Sequence, residues 1–285
     1  EPFAVTLSLS DLRDLALETE TIDFALSGLT WQAALRGKAT LDKTGLPTRY
    51  QLEVSLKGPA GPPFGVEPFS AFLQGGPEAA SLELSPLGLR RSGTVWIEQA
   101  RFAWDFAAAR GDLGLEWYGP SGAKAGSISG QILGNTDYRQ VNLLCRDTGG
   151  QVFLELELQD GPEQSLRAEG VLDLPWINVL TQWAGWAPGL RLSGKAPAIQ
   201  ADLAGPLPFP NGSLELDWES LDLETPDGLR VEGLAGGAAF LFNRFPRTRE
   251  PQLLQADVIH FGGLRFEKLK LEWELPTYRH FRILA

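Results

Sequence analysis

The chain has 285 residues, with 25 Lys and Arg against 36 Asp and Glu, 43% hydrophobic residues, 32 Gly, 20 Pro and 9 Trp. Its formal charge of −11 argues against nucleic acid as a partner, because phosphate binding needs clustered Lys and Arg. Its lone cysteine, Cys145, excludes an internal disulfide and reads as a small buried hydrophobe.

The densest basic group, Arg244, Arg247 and Arg249, lies in a Pro-containing stretch that reads as a loop. An anionic membrane surface repels such a chain on average. No segment approaches the roughly 18 consecutive apolar residues of a membrane span, and there is no signal-peptide pattern. The chain has no methionine, so a start segment carrying an anchor or export signal is expected ahead of it.

Period-two alternation dominates from the N-terminus onward, the mark of half-buried strands. Val5, Leu7 and Leu9 begin it, followed by Ile22, Phe24 and Leu26, then Trp31, Ala33 and Leu35. Tyr50 to Leu56 and Leu113 to Trp117 continue it. Leu154, Leu156 and Leu158 alternate with Glu155 and Glu157. Leu214, Leu216 and Trp218 alternate with Glu215, Asp217 and Glu219. Leu229 and Val231, Phe240 and Phe242, Leu264 and Phe266, and Leu269, Leu271 and Trp273 complete the series. Turn signals separate these runs, among them Gly149-Gly150, Asn211-Gly212, Asp227-Gly228 and Gly262-Gly263. Alternation of this kind indicates antiparallel sheet with one apolar and one wet face.

Helical signal is sparse. Pro175 to Ala187 places Trp176, Leu180 and Trp183 on one face, with Pro175 suited to a first turn and Gly189 to a stop. Glu67 to Gln74 carries a second, weaker stripe through Phe69, Phe72 and Leu73, and Arg101 to Arg110 fits strand or helix. Four pentapeptides centred on Gly37, Gly130, Gly194 and Gly236 resemble one another, and glycine inside a strand marks a bend or close approach. The whole chain, 1–285, is expected to form one elongated β module, with a seam at the polar turn 159–165.

Catalytic patterns are missing. His260 and His280 have no second His or Cys nearby in sequence, as a zinc site needs. The paired carboxylates Glu155/Glu157 and Glu215/Asp217 fall on wet strand faces, and nucleotide fingerprints and the G-x-S-x-G elbow are absent. Asn211-Gly212-Ser213 fits a glycosylation sequon but also a plain turn. Trp31, Trp117, Trp218 and Trp273 lie in phase with apolar positions, and two readings stand: they fill a sandwich core, or they line an open trough.

From Val171 to Leu275 the order runs Val171-Leu172-Asp173-Leu174-Pro175-Trp176-Ile177, a short helix, then Gly189-Leu190-Arg191-Leu192-Ser193-Gly194-Lys195-Ala196. Leu214-Glu215-Leu216, Gly228-Leu229-Arg230-Val231-Glu232-Gly233-Leu234-Ala235-Gly236 and a final alternating pair follow. This order resembles the AsmA-like proteins of the bacterial envelope, of the YdbH and TamB type. The resemblance implies a long, twisted and curled antiparallel sheet forming an apolar groove, with one or two short helices. It implies a non-enzymatic role without cofactor or metal, in which phospholipid or another acyl lipid passes between inner and outer membranes. It further implies a periplasmic location, an N-terminal tether, and membranes or membrane proteins of the envelope as partners.

On that reading the lipid-facing set is Leu154, Leu156, Leu158, Leu214, Leu216 and Trp218, then Leu229, Val231, Phe240 and Phe242, and finally Leu264, Phe266, Leu269, Leu271 and Trp273. Glu155, Glu157, Glu215, Asp217, Lys268, Lys270 and Glu272 point to water. The competing function is a structural or interaction β-domain of an envelope assembly, such as the N component of type II secretion. The competing fold is a closed two-sheet sandwich.

Overall fold

A computed structural model describes residues 5–10, 13–26, 29–59, 65–134, 139–161, 164–185, 189–205 and 210–284. The chain is mainly β, with one short helix among the described residues and a large antiparallel sheet that does not close on itself. The closed sandwich is therefore not the architecture. The chain divides into two compact units, Glu1–Leu133 and Gly134–Ala285.

The first unit begins with β1 (Val5–Ser10), β2 (Asp14–Thr19), β3 (Ile22–Leu26), β4 (Leu29–Leu41), β5 (Pro47–Lys57) and β6 (Gly65–Val66). It continues with β7 (Phe69–Gly75), β8 (Ala79–Leu84), β9 (Leu87–Arg90), β10 (Thr94–Asp105), β11 (Arg110–Tyr118) and β12 (Lys124–Gly134). Successive strands pair as a meander, the topology that short turns between alternating runs produce.

The second unit opens with β13 (Arg139–Arg146), β14 (Val152–Asp160), β15 (Ser165–Val171), α1 (Leu174–Ala184), β16 (Arg191–Gly194) and β17 (Ala198–Ala204). Then come β18 (Asn211–Glu224), β19 (Arg230–Asn243), β20 (Phe245–Thr248), β21 (Gln252–Phe261), β22 (Leu264–Thr277) and β23 (His280–Ile283). The polar turn 159–165 joins β14 and β15, which are fully paired within this unit.

Long strands face partners that are broken in two. β10 pairs with both β8 and β9, β18 with both β16 and β17, and β19 with both β20 and β21. Each break contains a proline, Pro86, Pro197 or Pro251. Proline has no N–H to give the ladder, so the strand pauses there and resumes. The bends line up across neighbours. β6 and β7 separate at Pro68, opposite the β8–β9 break, and β10 bulges between Glu98 and Arg101 with Gln99 at φ 51°.

The expected helix over Glu67 to Gln74 is instead β7, paired on both edges with β5 and β8. Its helical spacing is accidental, since Phe72 emerges on the exposed side, at 44% exposure. Arg101 to Asp105 completes β10, and a turn with Ala109 at φ 48° leads into β11. The other expected helix is present as α1, with Pro175 in its first turn. Its stop is Gly185, left-handed at φ 66° and four residues ahead of Gly189. Trp186 lies outside the described residues.

Candidate functional site

Directly opposed residues in an antiparallel ladder share a face, so the registers define which side chains line up. In the second unit one row runs Leu143, Leu156, Ala168, Ala201, Leu214, Phe240 across β13 to β19. The row beside it runs Cys145, Leu154, Gly170, Ile199, Leu216, Ala238. A third runs Val141, Leu158, Leu166, Leu203, Gly212, Phe242. Trp218 continues the face through Gly236 and Leu254 to Leu271, and Gln252 stands opposite Trp273.

The expected set of apolar residues is therefore brought onto one face across most of its members. Leu229 differs: it sits in the turn before β19, where its carbonyl accepts the Thr225 amide. Leu264, Phe266 and Leu269 differ in burial, being 61%, 46% and 41% exposed. They also need a change of phase, because Phe266 and Leu269 are three apart. The backbone supplies it. Lys268 adopts φ 54° between them, and Gly233 in β19 adopts φ 63° at the same level, beside Asp257. Phe266 then joins Ile259 and buried Val231, while Leu269 joins buried Ala256.

The polar side is equally continuous. Glu155 faces Glu169, and Glu157 faces Arg167 and Asn142. Gln140 Nε2 donates to Glu157 Oε1 at 2.9 Å. Glu215, Asp217, Lys268, Lys270 and Glu272 are all exposed.

The lipid-facing set expected from the sequence has no member in the first unit, yet an equivalent row exists there. It runs Leu17, Gly37, Leu52, Leu73, Leu82, Phe102, Leu113, Gly130 from β2 to β12. Leu166, Leu203 and Ile199 of the second unit were missed too. The alternation of Leu166, Ala168 and Gly170 with Arg167 and Glu169 carried the signal, diluted by small residues.

The large side chains of these rows are half-buried, and none of them is exposed. The buried apolar residues are mostly small, led by Cys145 at 2% and Ala168, Ala201 and Ala256 at 4%. Among the described residues no large side chain is below 2% exposure; Trp117, at 5%, is the most buried tryptophan. The indole N–H of Trp218 is buried without an acceptor among the described residues, within this apolar surface.

Chemistry-bearing groups are dispersed. Among the described residues no three His, Cys, Asp or Glu side chains gather as a metal requires. His280 Nδ1 lies 2.8 Å from Thr277 Oγ1, and His260 stands on β21 between Arg230 and Arg265. A hollow of about 1160 Å³ in the first unit is lined mainly by polar-face and turn residues, including Lys38, Gln51, Gln74 and Asp112. Burial pushes the Cys145 thiol up. The Glu116 carboxyl is held down by Lys124 Nζ at 2.6 Å and the Tyr118 hydroxyl at 3.0 Å.

The helix α1 closes one edge. Asn178 Nδ2 donates to the Leu192 carbonyl and Asn178 Oδ1 accepts the Leu192 amide, both at 2.9 Å. Trp176 packs edge-on against Phe153 at 4.9 Å. Among the described residues no helix is long and apolar enough to cross a membrane. No family model matches the chain, and neither the curated proteins nor the solved structures compared with it give a match.

Proposed function

We propose that this chain is a non-enzymatic lipid-binding module whose apolar sheet faces hold or conduct acyl chains, in the manner of the AsmA-like envelope proteins it resembles. One observation carries the reading: rows of apolar side chains cross strand after strand on one face, and their large members stay only partly buried. Monomeric soluble proteins rarely leave such a surface without an occupant.

An acyl chain suits it. Each CH₂ moved from water gains about 0.8 kcal/mol, so a chain of about 16 carbons gains roughly 12 kcal/mol without any specific polar contact. Leu, Phe and Trp rows without deep wells allow a chain to slide along the face. A periplasmic location, a tether ahead of Glu1 and transfer between two membranes belong to the same proposal. A scaffold domain, as in the N component of type II secretion, would need a filled core, which the sparse burial does not favour.

Native mass spectrometry and lipid extraction after gentle purification test this. Copurifying phospholipid is expected. Lipid-free protein that also fails to take up a fluorescent fatty acid would overturn the reading.

A further inference from the structure

The turn β19–β20 (Asn243, Arg244, Phe245) and the turn β22–β23 (Thr277 to His280) meet at one corner of the second unit. The rings of Phe245 and Tyr278 stack at 4.1 Å, and Thr248 Oγ1 accepts the Leu275 amide at 3.0 Å. Arg279 lies over the Tyr278 ring, 5.0 Å from its centroid.

This corner reverses the charge of the molecule. Arg244 and Arg279 lie in these two turns, Arg247 and Arg249 follow along β20 and just beyond it, and Arg282 lies on β23, against Glu250 and Glu274, in a chain of net charge −11. Glu274 is engaged by Arg282 at 3.3 Å. Between the arginines stand exposed rings: Phe245 at 41%, Tyr278 at 43% and Phe281 at 59%. Guanidinium groups with half-exposed aromatics match the boundary between anionic headgroups and acyl chains. The aromatic run does not stop at the rim. Phe281 stacks on Trp273 at 5.6 Å, and Trp273 meets Phe240 at 6.2 Å. Phe240 is itself a member of an apolar row.

We propose that this arginine–aromatic corner docks on an anionic lipid bilayer, the arginines on phosphates and the rings at the headgroup level, and delivers acyl chains to the apolar face through Phe281, Trp273 and Phe240. The average charge of the chain opposes a membrane, so the corner also orients it, presenting this end alone. The delivery step rests on the lipid-groove reading; the docking does not, and the two fail separately, because lipid extraction reports the groove and vesicle binding reports the corner.

The test is sedimentation of the full chain with phosphatidylcholine vesicles, with and without phosphatidylglycerol, at rising salt. Binding is expected only with phosphatidylglycerol and is expected to weaken with salt. The variant R244Q/R247Q/R279Q is expected to lose affinity by roughly fivefold per arginine, on the order of a hundredfold in all. A control, R191Q/R230Q/R265Q, removes the same charge at the far ends of β16, β19 and β22 and is expected to change binding little. Circular dichroism confirms that both variants remain folded, all six side chains being exposed. Equal losses in the two variants, undiminished binding of the corner variant, or loss of heparin binding with unchanged vesicle binding would each overturn the proposal.

Discussion

Asn178 of α1 and Leu192 of β16 are joined by two hydrogen bonds of 2.9 Å, the amide side chain serving as a one-residue strand partner. β16 has four residues and pairs on its other side with β18. Without Asn178, one amide and one carbonyl of a half-buried edge lose their partners. Asn178→Ala is expected to cost about 1–3 kcal/mol, the usual penalty for leaving such groups unmade. Urea titration followed by tryptophan fluorescence measures it. A loss within error would mean that water replaces both bonds at no cost.

Gly212 predicts a sharper effect. It is the second residue of β18, opposite Leu203 of β17, at φ 135°, and a Cβ there would stand 2.0 Å from the Asp202 carbonyl oxygen. Backbone cannot step aside as a flexible side chain can. Gly228, at φ 87°, has nothing within 4 Å of the same added atom. Ala at Gly228 therefore incurs only conformational strain, about 1–3 kcal/mol. Gly212→Ala is expected to cost clearly more than Gly228→Ala in the same chemical denaturation.

Much of this architecture is legible in the alternation itself, because a side-chain period of two commits a whole strand to a face. Leu154 to Leu158 and Leu214 to Trp218 needed nothing further. What escaped depended on neighbours. Phe69, Phe72 and Leu73 have helical spacing, and only the flanking strands β5 and β8 compel Leu73 onto the apolar row. Leu264 and Phe266 fall out of phase with Leu269 and Leu271. Their reconciliation rests on the positive φ of Lys268, which no residue preference announces, since Lys seldom adopts it. The aromatic–arginine corner was half visible. Arg244, Arg247 and Arg249 stood out, but Tyr278 and Arg279 are brought beside them only through the stacking of Phe245 on Tyr278 and the Thr248–Leu275 hydrogen bond.

Asp173 precedes α1, and its Oδ1 is buried without a partner among the described residues. Burial pushes its carboxyl above the ordinary Asp range, with the Trp176 amide opposing. The folded chain then binds this proton more tightly than the unfolded chain does. Stability from this group is greatest below the unfolded value of about 3.9 and falls as pH rises through the raised folded value. Asp173→Asn removes the buried charge and keeps a residue suited to the helix start. The variant is expected to melt above the parent at neutral pH, and the difference is expected to vanish near the acid end. A melting difference independent of pH would assign the effect to packing.

Leu216 faces Ile199 and Ala238, and Leu271 faces Leu254, so both lie on the apolar side of the second unit and both are only partly buried. A carboxylate at either position separates an open face from a closed one. In a sealed core it is an unpaired buried charge, which costs several kcal/mol and unfolds the unit. On an open face the Glu side chain bends toward water, and the ladder bonds, which are all backbone, persist. Leu216→Glu and Leu271→Glu are each expected to retain the strand signal in circular dichroism and to lose most copurifying lipid. An acyl chain crossing that row would have to desolvate the carboxylate, forfeiting the roughly 0.8 kcal/mol gained for each neighbouring CH₂. Lipid extraction from the folded variants measures this directly. Full occupancy in folded Leu271→Glu would remove Leu271 from the conducting face, and cooperative unfolding of both variants would mean that the face is closed after all.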